Sequence, residues 1–256
     1  MEEGDNLGEK LLMVRNLKKY FKGQNGKILE VLDGINLDIT RGEFTSIVGP
    51  SGCGKTTFLR ILAGLDTQYE GEVYLKGEKV TKPGISTTMV FQDFALFPWR
   101  TVLKNITFGL EVRGMRMEEA IEKAREYIKL VGLDGFENAY PHELSGGMKQ
   151  KVALARALVC NPEVLLMDEP LASLDLQTRN MMQAELVNIW QRTRKTIVYV
   201  THNIEEAVFL SDKVVIFSKR PTKIKDILEV ELERPRDRFS EEFVRLRAKI
   251  ASILAS

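Results

Sequence analysis

The chain has 256 residues, of which 44% are hydrophobic and 29% charged, a balance that fits a globular protein and leaves out collagen-like, mucin-like and disordered chains. Its 37 Lys and Arg against 36 Asp and Glu give a net charge of +1, so there is no basic excess for holding nucleic acid by bulk electrostatics. The length admits one large domain or two small ones.

Residues 1–10 read as a polar tail carrying Glu2, Glu3, Asp5 and Glu9, without the basic and apolar regions of a signal peptide. Strands are expected at 11–14, at Ile35, Leu37 and Ile39 by their period of two, and at Phe44–Val48. A glycine-rich loop follows at 49–54. A helix is then expected over 55–63, with Phe58, Leu59, Ile61 and Leu62 as its apolar face and Gly64 as its stop. Further strands are expected at 72–75 and 89–91.

Residues 101–158 carry helical patterns, including a face made of Ile121, Ala124, Ile128 and Val131. Short apolar runs return at 164–167, 197–200 and 214–217. The helical stretches 177–191 and 203–210 separate them, which is the rhythm of a parallel sheet. The basic clusters at 192–195 and 219–225 read as solvated surface. Near the end, Phe243, Leu246, Ile250, Ile253 and Leu254 share helical spacing and are expected to pack on the core.

Two cysteines, Cys53 and Cys160, form no disulfide or zinc framework, and the chain reads as cytosolic. No stretch of about 18 apolar residues is present to span a bilayer, so a membrane role would come through a partner.

The chemistry begins at Gly49-Pro50-Ser51-Gly52-Cys53-Gly54-Lys55-Thr56, which fits the phosphate-binding pattern G-x-x-x-x-G-K-[ST] and runs on into Thr57. Glycines let the backbone curl so that several N–H groups converge, and the helix that follows adds its positive end. Lys55 then offers a charge to the outer phosphates, and Thr56 a hydroxyl to Mg²⁺. The apolar run 164–167 ends in Asp168 and Glu169, and acids at a strand exit are costly unless used. Asp168 is expected to orient the Mg²⁺ shell through water, and Glu169 to polarise an attacking water. Leu144-Ser145-Gly146-Gly147-Met148-Lys149-Gln150 opens a helix with Ser145 as N-cap, which makes a second anion-binding helix start.

The phosphate loop, Gln92 after a strand, the 144–150 segment, Asp168-Glu169, Ser173-Leu174-Asp175 and His202 occur in the order of an ABC-transporter ATPase, which the chain resembles from the tail onward. Leu96-Phe97-Pro98-Trp99, Met148-Lys149-Gln150, Gln177-Thr178-Arg179 and Glu233-Arg234-Pro235-Arg236 resemble the nitrate/sulfonate/taurine importer subfamily.

The resemblance implies an α/β fold: a P-loop NTPase core with a mostly parallel sheet (11–92 and 161–235), an N-terminal antiparallel β subdomain, a helical subdomain (93–160) and a C-terminal helix (236–256). It implies a head-to-tail homodimer with two ATPs, each between the phosphate loop of one chain and Ser145, Gly146 and Gly147 of the other. Asp175 would join the nucleotide contacts. Glu169, His202, Lys55 and Gln92 would be catalytic, with Thr56, Gln92 and Asp168 holding Mg²⁺. Phe21 would stack on adenine, with Tyr20 as the alternative. The family more often has Asp where this chain has Asn203. The implied partners are transmembrane permease subunits at the cytoplasmic face of the membrane and, indirectly, a solute-binding protein that sets the substrate. Exporters and ABC ATPases acting on nucleic acid are the alternatives. Nucleic-acid relatives carry long coiled-coil insertions or tandem ATPase domains, and this chain has neither.

Overall fold

The computed structural model describes residues 9–23 and 26–256, so nearly all of the polar tail lies outside the described residues. The chain forms two compact units, one running to Gly84 and resuming at Lys195, the other Ile85–Arg194.

In the first unit, β1 (Lys10–Lys22) pairs antiparallel with β2 (Ile28–Thr40) and with β4 (Glu70–Leu75), and β5 (Glu78–Lys79) completes a sheet in the order β2-β1-β4-β5. This is the antiparallel β subdomain. β1 is far longer than the expected 11–14, because Lys19 is 3% exposed and breaks the apolar alternation. Its ammonium is held by Asp66 Oδ1 at 2.8 Å and the Gln68 carbonyl at 2.5 Å.

The same unit holds the core strands. β3 (Phe44–Val48) runs parallel to β8 (Thr196–Thr201) on one side and to β9 (Lys213–Phe217) on the other, and β10 (Ile224–Glu229) adds antiparallel to β9. All five residues of β3 are buried, as a parallel strand covered on both faces requires. β10 occupies part of the cluster expected to be solvated surface. Only Leu228 of its six residues is buried, so its sequence carries no apolar run. α1 (Lys55–Leu62) follows β3, and α6 (Ile204–Leu210) follows β8. α7 (Glu241–Ala255) packs Phe243 and Ile250 into a cluster with Ala207, Val208, Val214 and Ile216.

The second unit pairs β6 (Thr87–Val90) parallel with β7 (Val164–Asp168). Around them lie α2 (Val102–Val112), α3 (Met117–Leu130), α4 (Gly146–Leu158) and α5 (Leu176–Thr193). Ala120, Ala124, Ile128 and Val131 form the buried face of α3 and its end. The helical insertion expected at 93–160 lies wholly inside this unit, which also takes in β6, β7 and α5. Among the described residues no helix is long and apolar enough to cross a membrane.

Candidate functional site

The loop from β3 to α1 is built for a bound anion. A Cβ on Gly49 would sit 3.0 Å from Cys53 Sγ and from the Phe217 side chain, and one on Gly54, at φ +117°, would meet Val31 Cγ1 at 2.7 Å. A side chain at either point would force its neighbours to shift, and at Gly54 it would also strain the backbone. α1 starts on Gly54 with no side-chain cap, and its positive end faces the loop. Lys55 is 5% exposed, and its ammonium donates to the carbonyls of Gly49 at 2.8 Å and Pro50 at 3.1 Å, folded back over the loop it serves. Ser51, Gly52 and Thr56 are exposed, and Pro50 and Thr57 half-buried. Cys53 is buried, and burial raises its thiol pKa. These features fit a polyphosphate.

On β1, Phe21 is 44% exposed and Tyr20 49%, so neither is spent on the sheet core. The Lys19 ammonium lies 4.7 Å from the centre of the Phe21 ring, a cation–π contact that steadies the ring.

His202 is exposed at the exit of β8. The Thr201 hydroxyl donates to Glu206 Oε2 at 2.5 Å and accepts the Asn203 N–H at 3.0 Å, so the backbone on both sides of His202 is pinned. Asn203 is the N-cap of α6, its Oδ1 accepting the Glu206 N–H at 3.2 Å. Capping is served as well by Asn as by Asp. Thr201 and Glu206 escape a sequence reading because their pairing needs the turn between them.

In the second unit, β7 delivers Asp168, buried, and Glu169, half-buried. Glu169 has φ +45°, a left-handed backbone that costs a non-glycine residue about 1–3 kcal/mol and clusters at functional positions. The loop beyond it is strapped by Arg179, which donates to the carbonyls of Leu171 at 3.2 Å and Leu174 at 2.6 Å. Asp175 ends that loop as the N-cap of α5, accepting the Thr178 N–H at 3.0 Å. Its hydrogen bonds with Thr178 hold its pKa below the usual carboxylate value.

Ser145 caps α4 by accepting the Met148 N–H at 3.3 Å. Gly146 is exposed and Gly147 buried. A Cβ on Gly147 would lie 2.9 Å from Thr178 Cγ2, so the bare glycine is needed inside the chain as well. Gln92 is exposed after β6. The segment beyond it is tied to α4 by Arg156, whose guanidinium donates to the carbonyls of Ala95 at 2.6 Å and Phe94 at 2.8 Å. Phe94 packs against the cluster of Leu171, Leu174 and Met182.

Among the described residues no three His, Cys, Asp or Glu gather to hold a metal. Taken by residue type, a hydroxyl at Thr56, an amide at Gln92 and a carboxylate at Asp168 are hard oxygen ligands of the kind Mg²⁺ takes, and this ion binds through few protein ligands.

A family model described as ABC transporter matches residues 32–172. The chain is 56% identical over 243 residues to an uncharacterized ABC transporter ATP-binding protein of Methanocaldococcus jannaschii, covering 95% of this chain and 91% of that one. It is 45% identical over 237 residues to the aliphatic sulfonates import ATP-binding protein SsuB of Bacillus cereus, covering 93% of each. It is also 45% identical over 252 residues to the nitrate import ATP-binding protein NrtD of a Synechocystis species, covering 95% of this chain and 94% of that one. Among solved structures, a dimeric ATP-binding cassette in a post-hydrolysis state bound to ADP and Pi superposes with a TM-score of 0.75 at 33% identity, covering 87% of this chain and all of that one. Loop, strand exits and capped helix occur in a chain that matches such proteins nearly end to end, and it belongs to the ABC transporter family of ATPases.

Proposed function

We propose that the chain is the energy-coupling subunit of an importer for a small anionic solute of the nitrate, sulfonate or taurine kind, bound to permease subunits at the cytoplasmic face of the membrane. The observation that carries this reading is the 45% identity to a sulfonate and a nitrate import subunit over more than nine-tenths of each chain. In this reading a homodimer holds two ATPs, each between the phosphate loop of one chain and Ser145, Gly146 and Gly147 of the other. Binding closes the pair and hydrolysis reopens it.

Within each chain the residues divide the work. The loop N–H groups of 49–57 and Lys55 hold the phosphates, with Phe21 under the base and Asp175 at the shared interface. Thr56, Gln92 and Asp168 would hold Mg²⁺, which neutralises charge on the phosphate oxygens when bound. Glu169 takes the proton of the attacking water, and His202, fixed through Thr201 and Asn203, positions that water against the terminal phosphate. The test is ATP turnover of the chain reconstituted with its permease and binding protein. Stimulation by a sulfonate, taurine or nitrate supports the reading, and stimulation by none of the three refutes the solute class.

The shared site makes its own prediction. Gly147→Val is expected to abolish ATP-dependent dimerisation while the monomer still binds ATP, with a loss of thermal stability from the Thr178 contact. Mixed with Lys55→Ala chains, it should regain dimers, because both lesions then fall in one composite site and leave the other whole. Mixtures that form heterodimers and still fail to close with ATP would refute the shared site.

Trp99 is the proposed permease contact. Asn105 is fully buried; its Nδ2 donates to the carbonyls of Arg100 at 2.9 Å and Thr101 at 3.1 Å, and its Oδ1 accepts the Phe97 N–H at 2.9 Å. That fixes the turn which holds Trp99 71% exposed, with Phe97 backed by Phe108 at 4.6 Å between ring centres. A large exposed aromatic on a rigid turn is a contact residue more than a core one. Trp99→Ala is expected to keep the melting temperature and basal hydrolysis of the isolated chain and to lose solute-stimulated hydrolysis in the complex. A lowered melting temperature would assign Trp99 to packing.

A further inference from the structure

The phosphate loop has a neighbour that its motif does not include. β9 ends against it, with Phe217 blocking the Cβ position of Gly49 through its own Cβ at 3.0 Å and its carbonyl at 3.2 Å. The chain then makes a tight loop at 218–223, closed by the Ser218 N–H on the Lys223 carbonyl and the Lys223 N–H on Ser218 Oγ, both at 2.9 Å. This loop is bonded to the phosphate loop itself, because the fully buried Thr222 hydroxyl donates to the Cys53 carbonyl. It is bonded to β2 as well, the Thr222 N–H donating to the Val31 carbonyl and the Asp33 N–H to the Thr222 carbonyl, each at 2.9 Å.

At the tip stands Arg220, exposed, with Nη2 3.8 Å from where a Cβ on Gly52 would lie. Its charge also reaches the Cys53 thiol, opposing the burial that raises it. Among the described residues it has no hydrogen-bond or ion-pair partner; of the loop's two other basic side chains, Lys223 pairs with Asp33 at 3.1 Å and Lys219 is exposed. An unpaired guanidinium at Gly52, in the loop that opens α1, sits in the positive field of that helix start, and a polyphosphate turns the repulsion into attraction. The planar fork can also grip two phosphate oxygens at once.

We propose that Arg220 is a phosphate ligand of the bound nucleotide, a second cation that this chain holds over its phosphate loop from the end of β9. The proposal rests on the reading of residues 49–57 as the nucleotide site. It explains why the loop at 218–223 is bonded to the phosphate loop and not left free: the hydrogen bond from Thr222 to Cys53 sets the distance between the two cationic groups and the ligand they share.

The test is equilibrium binding of MgADP to the full chain, comparing wild type with Arg220→Ala, Arg220→Gln, Arg220→Lys and Lys55→Ala. Loss of one charge-assisted phosphate contact is expected to weaken binding about tenfold or more in Arg220→Ala and Arg220→Gln. Arg220→Lys should lie between these and wild type, and the salt dependence of binding should be shallower in the neutral variants. Arg220→Gln keeps much of the side chain's bulk, so it reads the charge even where Arg220→Ala lowers the melting temperature. Binding within twofold of wild type in Arg220→Gln, while Lys55→Ala binds poorly, would overturn the proposal and leave the nucleotide site standing. A wild-type chain that fails to bind MgADP would overturn both.

Discussion

Glu169→Gln should lower ATP turnover by about 10²–10⁴-fold, the usual worth of a positioned general base, while nucleotide binding persists. The amide keeps the size of the side chain and tolerates the same backbone, so the strained exit at φ +45° is retained and the fold with it. What disappears is the group that accepts the water proton. Because hydrolysis is the proposed opening step, the variant should accumulate as an ATP-bound dimer. Gel filtration with and without ATP, together with a phosphate-release assay, measures both effects. Turnover near that of wild type would remove Glu169 from the role of base. It would also leave its left-handed backbone as a requirement of the loop that Arg179 straps to α5.

The largest expected loss of stability lies far from any phosphate, at Arg236. Its side chain is 6% exposed and donates to five backbone carbonyls, those of Val208 and Ser211 at 2.6 Å, Val230 at 3.1 Å, Leu232 at 3.2 Å and Phe209 at 3.3 Å. Two of these belong to the last turn of α6, whose carbonyls have no partner within the helix. Burial, with Arg234 nearby, lowers the Arg236 pKa to about 10, still well above neutrality, so the fork carries its full charge under working conditions. Arg234 completes the clasp through Asp212 at 2.6 Å and the Leu210 carbonyl at 2.7 Å. Arg236→Met keeps the apolar stem and strips the donors. Leaving several buried carbonyls unsatisfied should cost on the order of 3–5 kcal/mol and lower the melting temperature by roughly 10 °C for a chain of this size. Thermal unfolding followed by circular dichroism reads it directly, and a melting temperature within a degree or two of wild type would show that water replaces the fork.

These two residues mark what a reader of the sequence can and cannot find. β3, the glycine loop and α1 are legible because a strand buried on both faces is a continuous apolar run, and because a curled loop needs glycine at fixed places. The exits of β7 and β8 are legible for the same reason, since a carboxylate or an imidazole stands out at the end of such a run. The second half of β1 is hidden by Lys19, whose burial depends on Asp66 and Gln68, nearly fifty positions away. β10 is hidden because an edge strand with one buried side chain has no apolar pattern to show. The Glu233-Arg234-Pro235-Arg236 stretch could be seen as a subfamily mark, but not as a clasp, because its partners are backbone carbonyls, which every sequence carries. Asn105, Arg156, Arg179 and Glu206 belong to the same class: polar side chains that position functional segments through contacts visible only after folding.

The cysteine inside the phosphate loop has one more consequence. Oxidants and alkylating reagents attack the thiolate, and only where they can reach it. Cys53 is 2% exposed, and burial raises its thiol pKa, while its backbone serves the loop through a carbonyl that accepts from Thr222. The side chain is thus sealed away from the surface that the ligand meets. A sulfur at the centre of the phosphate grip is therefore expected to react more slowly with oxidants than an exposed thiol would.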